Sequence, residues 1–468
     1  MKKLLRWTLR LFLLLALIIG AAWLIENYRG YKAWEETKAR ATKLGVSLDL
    51  ADYAAPTIPD SQNLLKNPDF SREWNGEIEP PLKAWASMEL NVPNPEKLYS
   101  RTGEITDYLP VYPGESNPDV AVDRLTEAAH KVEARLNSLA ETILASPPQD
   151  LSSRFENAAD IFNSVKETQS LQRIARAFHD QAILSLHRND PGLALRNCQA
   201  IERLAQNDKL PGMMNFLGFS FCHSIIPAII WEGILLGIWE TEQLNELSDL
   251  LETEVDHLYL ADILSYEAAV IPPSVDQSRK IKEASDKHFR EAFGGGPEEQ
   301  PSTKEQIQLW IFSSGPKGWD HQRKSIPINS ILDLVESSST WKWEGSPEPE
   351  KVDSSDTNLS FDPFGPYRDT KKLLSKMIQG SFEITARARI CLLAMEIEKN
   401  RLTNGILPKS LDEIPDAQKT TDPCDPQKRP FKYELLPEGG FQIYSKFFYE
   451  REPDVDRKRF LWKFPTKH

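Results

Sequence analysis

The chain has 468 residues, of which 40% are hydrophobic and 27% charged, a balance typical of folded globular proteins that excludes disorder throughout. Because single hydrophobic cores stop growing near roughly 250–300 residues, this length predicts two or three structural units. The net charge of -13 argues against a nucleic-acid partner, since binding to phosphates needs a basic surface.

An uninterrupted apolar run near the N-terminus predicts a transmembrane helix. Residues 1–10 form a basic leader, and residues 11–25 are apolar throughout. The run is shorter than the roughly 20 residues that a bilayer needs, but apolar residues within the leader extend it. Because basic residues mark the cytoplasmic side, we expect 1–10 in the cytoplasm, 11–25 in the lipid bilayer and the remainder periplasmic or extracellular.

A cleaved signal peptide is the alternative, because Gly20 and Ala22 are small and spaced like a cleavage site. Retention is favoured by Trp23 and Tyr28, which lie where an aromatic belt is expected. A helical pattern also continues without a break from the apolar run as far as Gly45, a typical helix terminator. The interpretation is therefore a single-pass signal-anchor, with cleavage left open.

Beyond the anchor, the pattern predicts a mainly α protein. Residues 26–118 are expected to form a juxtamembrane helix and then a loop-rich segment that wraps over the body. Residues 119–293 show apolar positions at helical spacing and predict a helical body, either an antiparallel helical bundle or an irregular α-solenoid. Its apolar stretch 213–239 contains a histidine, a proline and a glutamate, which favours a buried core helix over a second span. Pro272–Pro273 is expected to interrupt the last body helix.

The C-terminal third is expected to contain two further parts. Residues 294–365 are rich in Gly, Pro and Ser and predict a linker and mobile loop region. Residues 366–468 predict a long helix from about 368 to 400, followed by a small α+β unit. In that unit, PFKYELL and GFQIYSKFF read as strands of a β-hairpin joined by Pro437–Gly440.

The chain contains four cysteines, Cys198, Cys222, Cys391 and Cys424. An exported location permits disulfides, and Cys198 with Cys222 is then the preferred pair, because they lie on predicted neighbouring antiparallel helices. The alternative is that all four are free and buried.

One stretch in the C-terminal part resembles a known unit. From 386 to 447 it has a helix, a turn close to N-G-x-x-P-x-S-L-D-E-I, a D-P pair and a hairpin ending in I-Y-S, and it is similar to the C-terminal region of type II secretion pseudopilins. The matching residues are Asn404, Gly405, Pro408, Ser410, Leu411, Asp412, Glu413, Ile414, Asp422, Pro423, Tyr433, Gly440 and Tyr444. The pseudopilin loop that can hold calcium does not follow Ser445, so we expect no calcium site.

A second resemblance spans most of the chain. The segment YRGYKAWEETKARATKLGVSLDLADYAAPTIPDSQN together with PKGWDHQ resembles uncharacterised membrane-anchored, exported proteins of the planctomycete and verrucomicrobial group. This resemblance implies an anchor and an exported helical domain, and it implies no activity.

No combination of residues predicts a catalytic, cofactor-binding or metal site, and a structural role is the preferred interpretation of every candidate. The weighed sets are His179 with His187; His223 with Glu232; Glu254, Asp256, His257 and Asp262; Asp422, Asp425, Asp454 and Asp456; Ser313, Ser314 and Gly315; and Trp310, Trp319, Trp341 and Trp343.

Three functions remain in contention, and an enzyme is not the favoured one. The first is a membrane-tethered extracytoplasmic scaffold or protein-interaction module, suggested by amphipathic helices and an acidic surface, with a protein partner. The second is an exported hydrolase that assembles a site from distant residues such as Glu254, His257 and His321. The third is an accessory component of a secretion or pilus-like system, suggested by the pseudopilin-like unit.

Overall fold

The computed structural model describes residues 2–53, 59–74, 118–147, 158–207, 212–252, 258–278, 316–338, 370–415, 417, 420–437, 439–447 and 461–464. These residues form ten α-helices, four short 3₁₀ helices and three β-strands. The α-helices are α1 (Lys2–Lys43), α2 (Pro68–Trp74), α3 (Pro118–Ala145), α4 (Ala158–His187), α5 (Pro191–Asn207), α6 (Met213–Leu236), α7 (Thr241–Glu252), α8 (Leu258–Ser278), α9 (Lys317–Ser337) and α10 (Thr370–Asn404). The strands are β1 (Lys432–Leu435), β2 (Phe441–Tyr444) and β3 (Leu461–Phe464). The predicted mainly α fold with a small C-terminal sheet is confirmed.

Helix α1 is continuous from the basic leader through the apolar run and into the polar segment that follows. Its apolar part reaches a mean hydropathy of 2.3, and none of that window is buried. The helix ends as predicted at Gly45, which has φ of 73°. There the Val46 amide donates to the Ala41 carbonyl at 3.0 Å, a typical capping arrangement for a glycine in the left-handed region.

Helix α4 lies at the centre of the body and packs against α5 and α6, which also pack against each other. Helix α6 is apolar enough to cross a membrane, but 78% of its apolar window is buried by the surrounding helices. The prediction of a core helix is therefore confirmed. Its C-terminal end is fixed by Trp239, which donates from Nε1 to the Ile230 carbonyl at 3.0 Å and packs over Gly233.

One predicted interruption is absent from the described helices, and one helix lies where a linker and loop region was predicted. Helix α8 runs through Pro272 and Pro273, and α9, a 21-residue helix, runs through Pro327 within the stretch predicted to be linker and loop. An interior proline costs a helix roughly 3 kcal/mol. In α9, Ile328, Ile331 and Leu332 are fully buried. Burying each of these side chains gains about 1.5–3 kcal/mol, which offsets the lost backbone hydrogen bond.

The long C-terminal helix α10 connects the body to the sheet. It packs against α6, α7 and α9, and it also contacts β2 of the sheet. The sheet is antiparallel with order β1-β2-β3, so β2 is central. The predicted hairpin is confirmed, whereas β3 was not predicted. Trp462 and Phe464 of β3 are buried, and the Phe464 ring lies 6.2 Å from that of Trp231 in α6.

Candidate functional site

The polar half of α1 is packed along α9, and this contact, here called the α1–α9 joint, joins parts of the chain that are nearly 300 residues apart through hydrogen bonds and ion pairs. Its paired residues are Gly30 with Gly318, Thr37 with Asn329, and Arg40 with Asp333. Because residue numbers rise together on both helices, α1 and α9 run parallel. Both helices therefore leave the apolar end of α1 in the same direction.

Two glycines allow the backbones to touch at the start of the joint. A Cβ on Gly30 would lie 2.0 Å from the Gly318 carbonyl oxygen, and one on Gly318 would lie 2.1 Å from the Glu26 carbonyl oxygen. Any larger residue would push the helices apart, since such separations are far below van der Waals contact. The Gly318 amide donates to Asn27 Oδ1 at 2.8 Å, so the first turn of α9 is fixed by a hydrogen bond to α1.

Polar side chains continue the joint above the glycines. Gln322 Nε2 donates to Glu26 Oε2 at 3.1 Å. About two turns further along α9, Asn329 Nδ2 donates to Thr37 Oγ1 at 2.8 Å. The Thr37 side chain is fully buried, and its hydroxyl donates to the Ala33 carbonyl at 2.8 Å. These bonds specify one register between the two helices, because each donor needs its own partner when buried.

The far end of the joint carries an ion-pair cluster. Arg40 Nη1 lies 2.8 Å from Asp333 Oδ1, and Arg40 Nη2 lies 2.7 Å from Glu336 Oε2. The hydrogen bond to Glu336, and then that to Asp333, raise the pKa of Arg40 above its usual value. Since all three side chains are partly exposed, the cluster contributes orientation more than stability.

The joint is also tied to the rest of the body through Lys324. Its Nζ lies 5.5 Å from the ring centroid of Trp34 in α1 and 2.6 Å from Asp276 Oδ1 in α8. Beside it, His321 meets the Tyr31 ring edge to face at 6.3 Å, and burial lowers the pKa of this histidine. His321 of the proposed hydrolase set therefore lies in a helix-packing contact.

The two segments that carry the second resemblance meet in this joint. YRGYKAW supplies Gly30 and Trp34, and PKGWDHQ supplies Gly318 and His321. The sequence interpretation did not place them together, because it assigned the second segment to a loop region. The available signal was a glycine followed by an aromatic residue in both segments, Gly30–Tyr31 and Gly318–Trp319.

A second group of polar residues lies inside α4, α5 and α6 as histidine–carboxylate pairs. His187 Nε2 lies 2.8 Å from Glu232 Oε1, His223 Nε2 lies 3.7 Å from Glu202 Oε2, and His179 Nδ1 lies 2.9 Å from Asp180 Oδ1. The candidate pair of His223 with Glu232 is not formed; each residue has a different partner.

Two of these pairs link helices inside the core, whereas His179 and Asp180 are neighbours within α4. The side chain of His187 is 12% exposed and that of Glu232 is fully buried. Burial also raises the pKa of Asp180, which lies beside His179. The two pairs between helices therefore connect α4 with α6 and α5 with α6 inside the core.

Asp422 and Asp425, which were considered as cation ligands, accept hydrogen bonds from nearby groups of the C-terminal unit. Asp422 Oδ1 accepts from the Cys424 amide at 2.8 Å, and its Oδ2 accepts from the Ser445 hydroxyl. Asp425 Oδ2 accepts from Arg429 Nε at 2.5 Å. Burial raises the pKa of Asp422. Asp454 and Asp456 lie outside the described residues. In the part of the chain that is described, no group of three or more His, Cys, Asp or Glu could hold a metal ion.

Residues of the pseudopilin-like stretch contact one another in this same unit. The Tyr433 hydroxyl donates to the Pro408 carbonyl at 2.7 Å, and Ser410 caps the short helix Leu411–Glu413. Gly405 has φ of 74°, a conformation that favours glycine. These motif residues therefore stabilise the turn and the hairpin.

The four cysteines are all free and buried. The disulfide between Cys198 and Cys222, preferred among the possible pairings, is not formed, and the interpretation that all four thiols are free and buried is confirmed. Burial raises the pKa of the Cys198, Cys391 and Cys424 thiols.

Several other candidates lie outside the described residues, so the structure does not locate them. These are Glu254, Asp256, His257, Trp310, Ser313, Ser314, Gly315, Trp341 and Trp343. Of the same sets, Asp262 lies on the exposed side of α8, and Trp319 lies half-buried at the start of α9.

Comparison of the chain with protein-family models, with curated proteins and with solved structures finds no match.

Proposed function

We propose that this chain is a single-pass, membrane-tethered extracytoplasmic protein that acts as a non-catalytic scaffold or protein-interaction module. One observation carries the proposal. A single helix, α1, leaves its apolar half fully exposed and packs its polar half against the body through a register-specific joint.

The exposed half of α1 supports the membrane tether. The side chains of Leu11, Phe12, Leu17 and Leu24 are each more than two-thirds exposed. Leaving such an apolar surface in water is unfavourable by about 25 cal/mol per Å², and a bilayer removes that cost. The basic leader supports a cytoplasmic N-terminus, which leaves the body on the opposite side.

The joint supports a scaffold role, because it fixes the orientation of the body relative to the membrane anchor. A flexible linker would let the body rotate freely, whereas the contact at Gly30 and Gly318 and the bond from Asn329 to Thr37 allow one arrangement. The return of α10 onto α6 and α7 also favours a bundle, since units of a solenoid contact only their neighbours.

Topology tests the tether. We expect the full chain to stay in alkali-washed membranes, and its body to be digested by protease added outside spheroplasts. The matched variant Leu14→Arg with Leu17→Arg places two charges in the apolar run and should be released from the membrane. A full-length chain found in the cytosol, or a body protected from external protease, would contradict the proposal.

Partner binding tests the scaffold role. The full chain is cross-linked in membranes and purified beside a control in which residues 11–25 are replaced by an unrelated transmembrane segment. We expect one and the same partner protein to be recovered with the full chain and with the control. That partner should also bind the full chain directly when both are purified. Failure to recover any reproducible partner that binds directly would count against the scaffold role and leave the tether standing.

A further inference from the structure

We propose that the first turn of α9, Lys317 to Trp319, rests in the lipid headgroup layer and gives the body a second contact with the membrane. The inference rests on the proposed function, because it takes α1 as the membrane span. The partner is the phosphate-bearing headgroup layer of the bilayer itself.

Depth along α1 places this turn at the membrane surface. Gly318 touches the backbone of Glu26 and Asn27, the first two residues after the apolar run ends at Ile25. At a rise of 1.5 Å per residue, the contact lies only about 2–3 Å beyond that end. A headgroup layer adds roughly 5–7 Å to each side of the hydrocarbon core, so Gly318 falls inside it.

The length of the apolar run agrees with this placement. Residues 11–25 span roughly 22 Å as a helix, which is less than the hydrocarbon thickness of about 30 Å. Because apolar residues within the leader extend the run backwards and make up this difference, the hydrocarbon core ends near Ile25 and the headgroup layer begins there. A bilayer that fits α1 consequently reaches the start of α9.

The side chains at this level suit a headgroup layer. Lys317 is exposed and Trp319 is half-buried, and these residue types are favoured at the interface of a membrane with water. On α1 at the same level, Tyr28 is 69% exposed. The nearby carboxylates are already engaged: Glu26 with Arg29 at 2.8 Å, and Asp320 with Arg323 at 3.1 Å.

Because α1 and α9 run parallel, the contact of α9 with the headgroup layer is expected to orient the body relative to the membrane. Ser337, at the other end of α9, lies roughly 30 Å further from the membrane, since α9 rises with α1. Two contacts at the base, the span and the start of α9, fix the tilt and the rotation of the body relative to the bilayer.

Quenching by labelled lipid tests the proposal with the full chain. A fluorophore is attached at Lys317→Cys, at Ser337→Cys or at Leu14→Cys, and each protein is placed in phosphatidylcholine vesicles. Some vesicles carry a headgroup nitroxide lipid and others an acyl-chain nitroxide lipid. The native thiols are buried, so brief labelling of the unsubstituted chain sets the background.

We expect the Lys317→Cys label to lose about half or more of its fluorescence with headgroup nitroxide and much less with acyl-chain nitroxide. The Ser337→Cys label should be quenched by neither. The Leu14→Cys label should be quenched by acyl-chain nitroxide. Equal, weak quenching at 317 and 337 beside strong quenching at 14 would overturn the second contact alone. Weak quenching at all three positions would overturn the membrane span as well.

Discussion

Which carboxylate a buried histidine contacts depends on how neighbouring helices are aligned. The sequence could therefore identify the histidines of the core but not their partners. The sequence led to a structural interpretation of the histidines of α4 and α6. Their partners were not found, because Glu232 lies near the C-terminal end of α6 and meets His187 at the end of α4. Spacing along one helix carries no information about which neighbouring helix lies opposite a residue.

The His187–Glu232 pair yields the first prediction. His187→Leu leaves a fully buried carboxylate without this partner and should lower the free energy of unfolding by about 3–5 kcal/mol. Glu232→Leu leaves a histidine that can be neutral, so its cost should be smaller. The double variant replaces both polar groups and should recover much of the His187→Leu loss. Urea unfolding of all four chains in detergent measures the cycle.

An exposed pair provides the control for that cycle. Lys131 and Glu127 lie 2.7 Å apart with both side chains more than half exposed, so Lys131→Ala should hardly change the unfolding midpoint. If the costs of His187→Leu and Glu232→Leu simply added in the double variant, the two residues would not be energetically coupled.

The Tyr433 phenol yields a pH prediction. Burial, and then the charge of Glu413, raise the pKa of Tyr433 to about 12. In the unfolded chain the phenol has an ordinary pKa of about 10, so above that pH the unfolded state loses its proton first. The stability that the neutral phenol provides is therefore complete below about pH 10 and is lost as the pH rises toward about 12.

Tyr433→Phe removes both the titration and the hydrogen bond to Pro408. The variant should be about 1 kcal/mol less stable than the parent near pH 8, and its stability should fall less between about pH 10 and 12. Urea midpoints across this range measure the difference, with Tyr28→Phe, at an exposed position, as the control. Parallel losses in the parent and Tyr433→Phe would contradict the assignment.

At the element scale, sequence patterns found those elements whose apolar periodicity was strong. Gly45, the apolar stretch of α6 and the hairpin turn were each recognised from local chemistry. Helix α9 was missed because its proline and its charges resemble a linker, although Arg323 and Lys324 are buried. Strand β3 was missed because it has four residues, and the buried Trp462 and Phe464 on either side of the exposed Lys463 give too short an alternation to stand out.

The glycine contact of the α1–α9 joint yields an element-scale prediction. Gly318→Ala places a Cβ against the Glu26 carbonyl, so the first turn of α9 must move away from α1 and lose its bond to Asn27. The free energy of unfolding should fall by about 2 kcal/mol or more. Hydrogen exchange should also become faster for amides of α9 while those of α4 stay protected.

Gly20→Ala is the matched control, because nothing lies within 4 Å of a Cβ at that position. Its exchange pattern should equal that of the parent chain. Unchanged protection of α9 in Gly318→Ala would mean that the helices adjust to the new methyl group and that the glycine contact does not define the joint.

For the whole molecule, the sequence predicted a mainly helical fold with a small β unit near the C-terminus, and the structure adds the contacts between parts that are distant in sequence. Helix α9 packs on α1 across nearly 300 positions, as in the bond from Asn329 to Thr37 at a separation of 292 residues. Helix α10 similarly connects the core helices with the sheet. Such long-range pairings leave no periodic signal in one sequence, which is why the joint was not anticipated.

The buried thiols allow the unity of the body to be measured. Cys198, Cys222 and Cys391 lie in α5, α6 and α10, and Cys424 lies in the C-terminal unit. Since α10 packs on both regions, we expect all four to be inert toward a maleimide in the folded chain and to become reactive at one common urea midpoint. Raised thiol pKa values at Cys198, Cys391 and Cys424 reinforce this protection, because the thiolate is the reactive form.

Peptide mapping by mass spectrometry reads each cysteine separately, and Glu127→Cys, at a position where the native side chain is 70% exposed, provides an accessible thiol that should react in the folded chain. A reductant should leave the midpoint unchanged, because no disulfide joins these residues. If Cys424 reacted at a lower urea concentration than Cys391, the C-terminal unit would unfold independently of the body. In that case the contact of Phe464 with Trp231 would be too weak to couple the two regions.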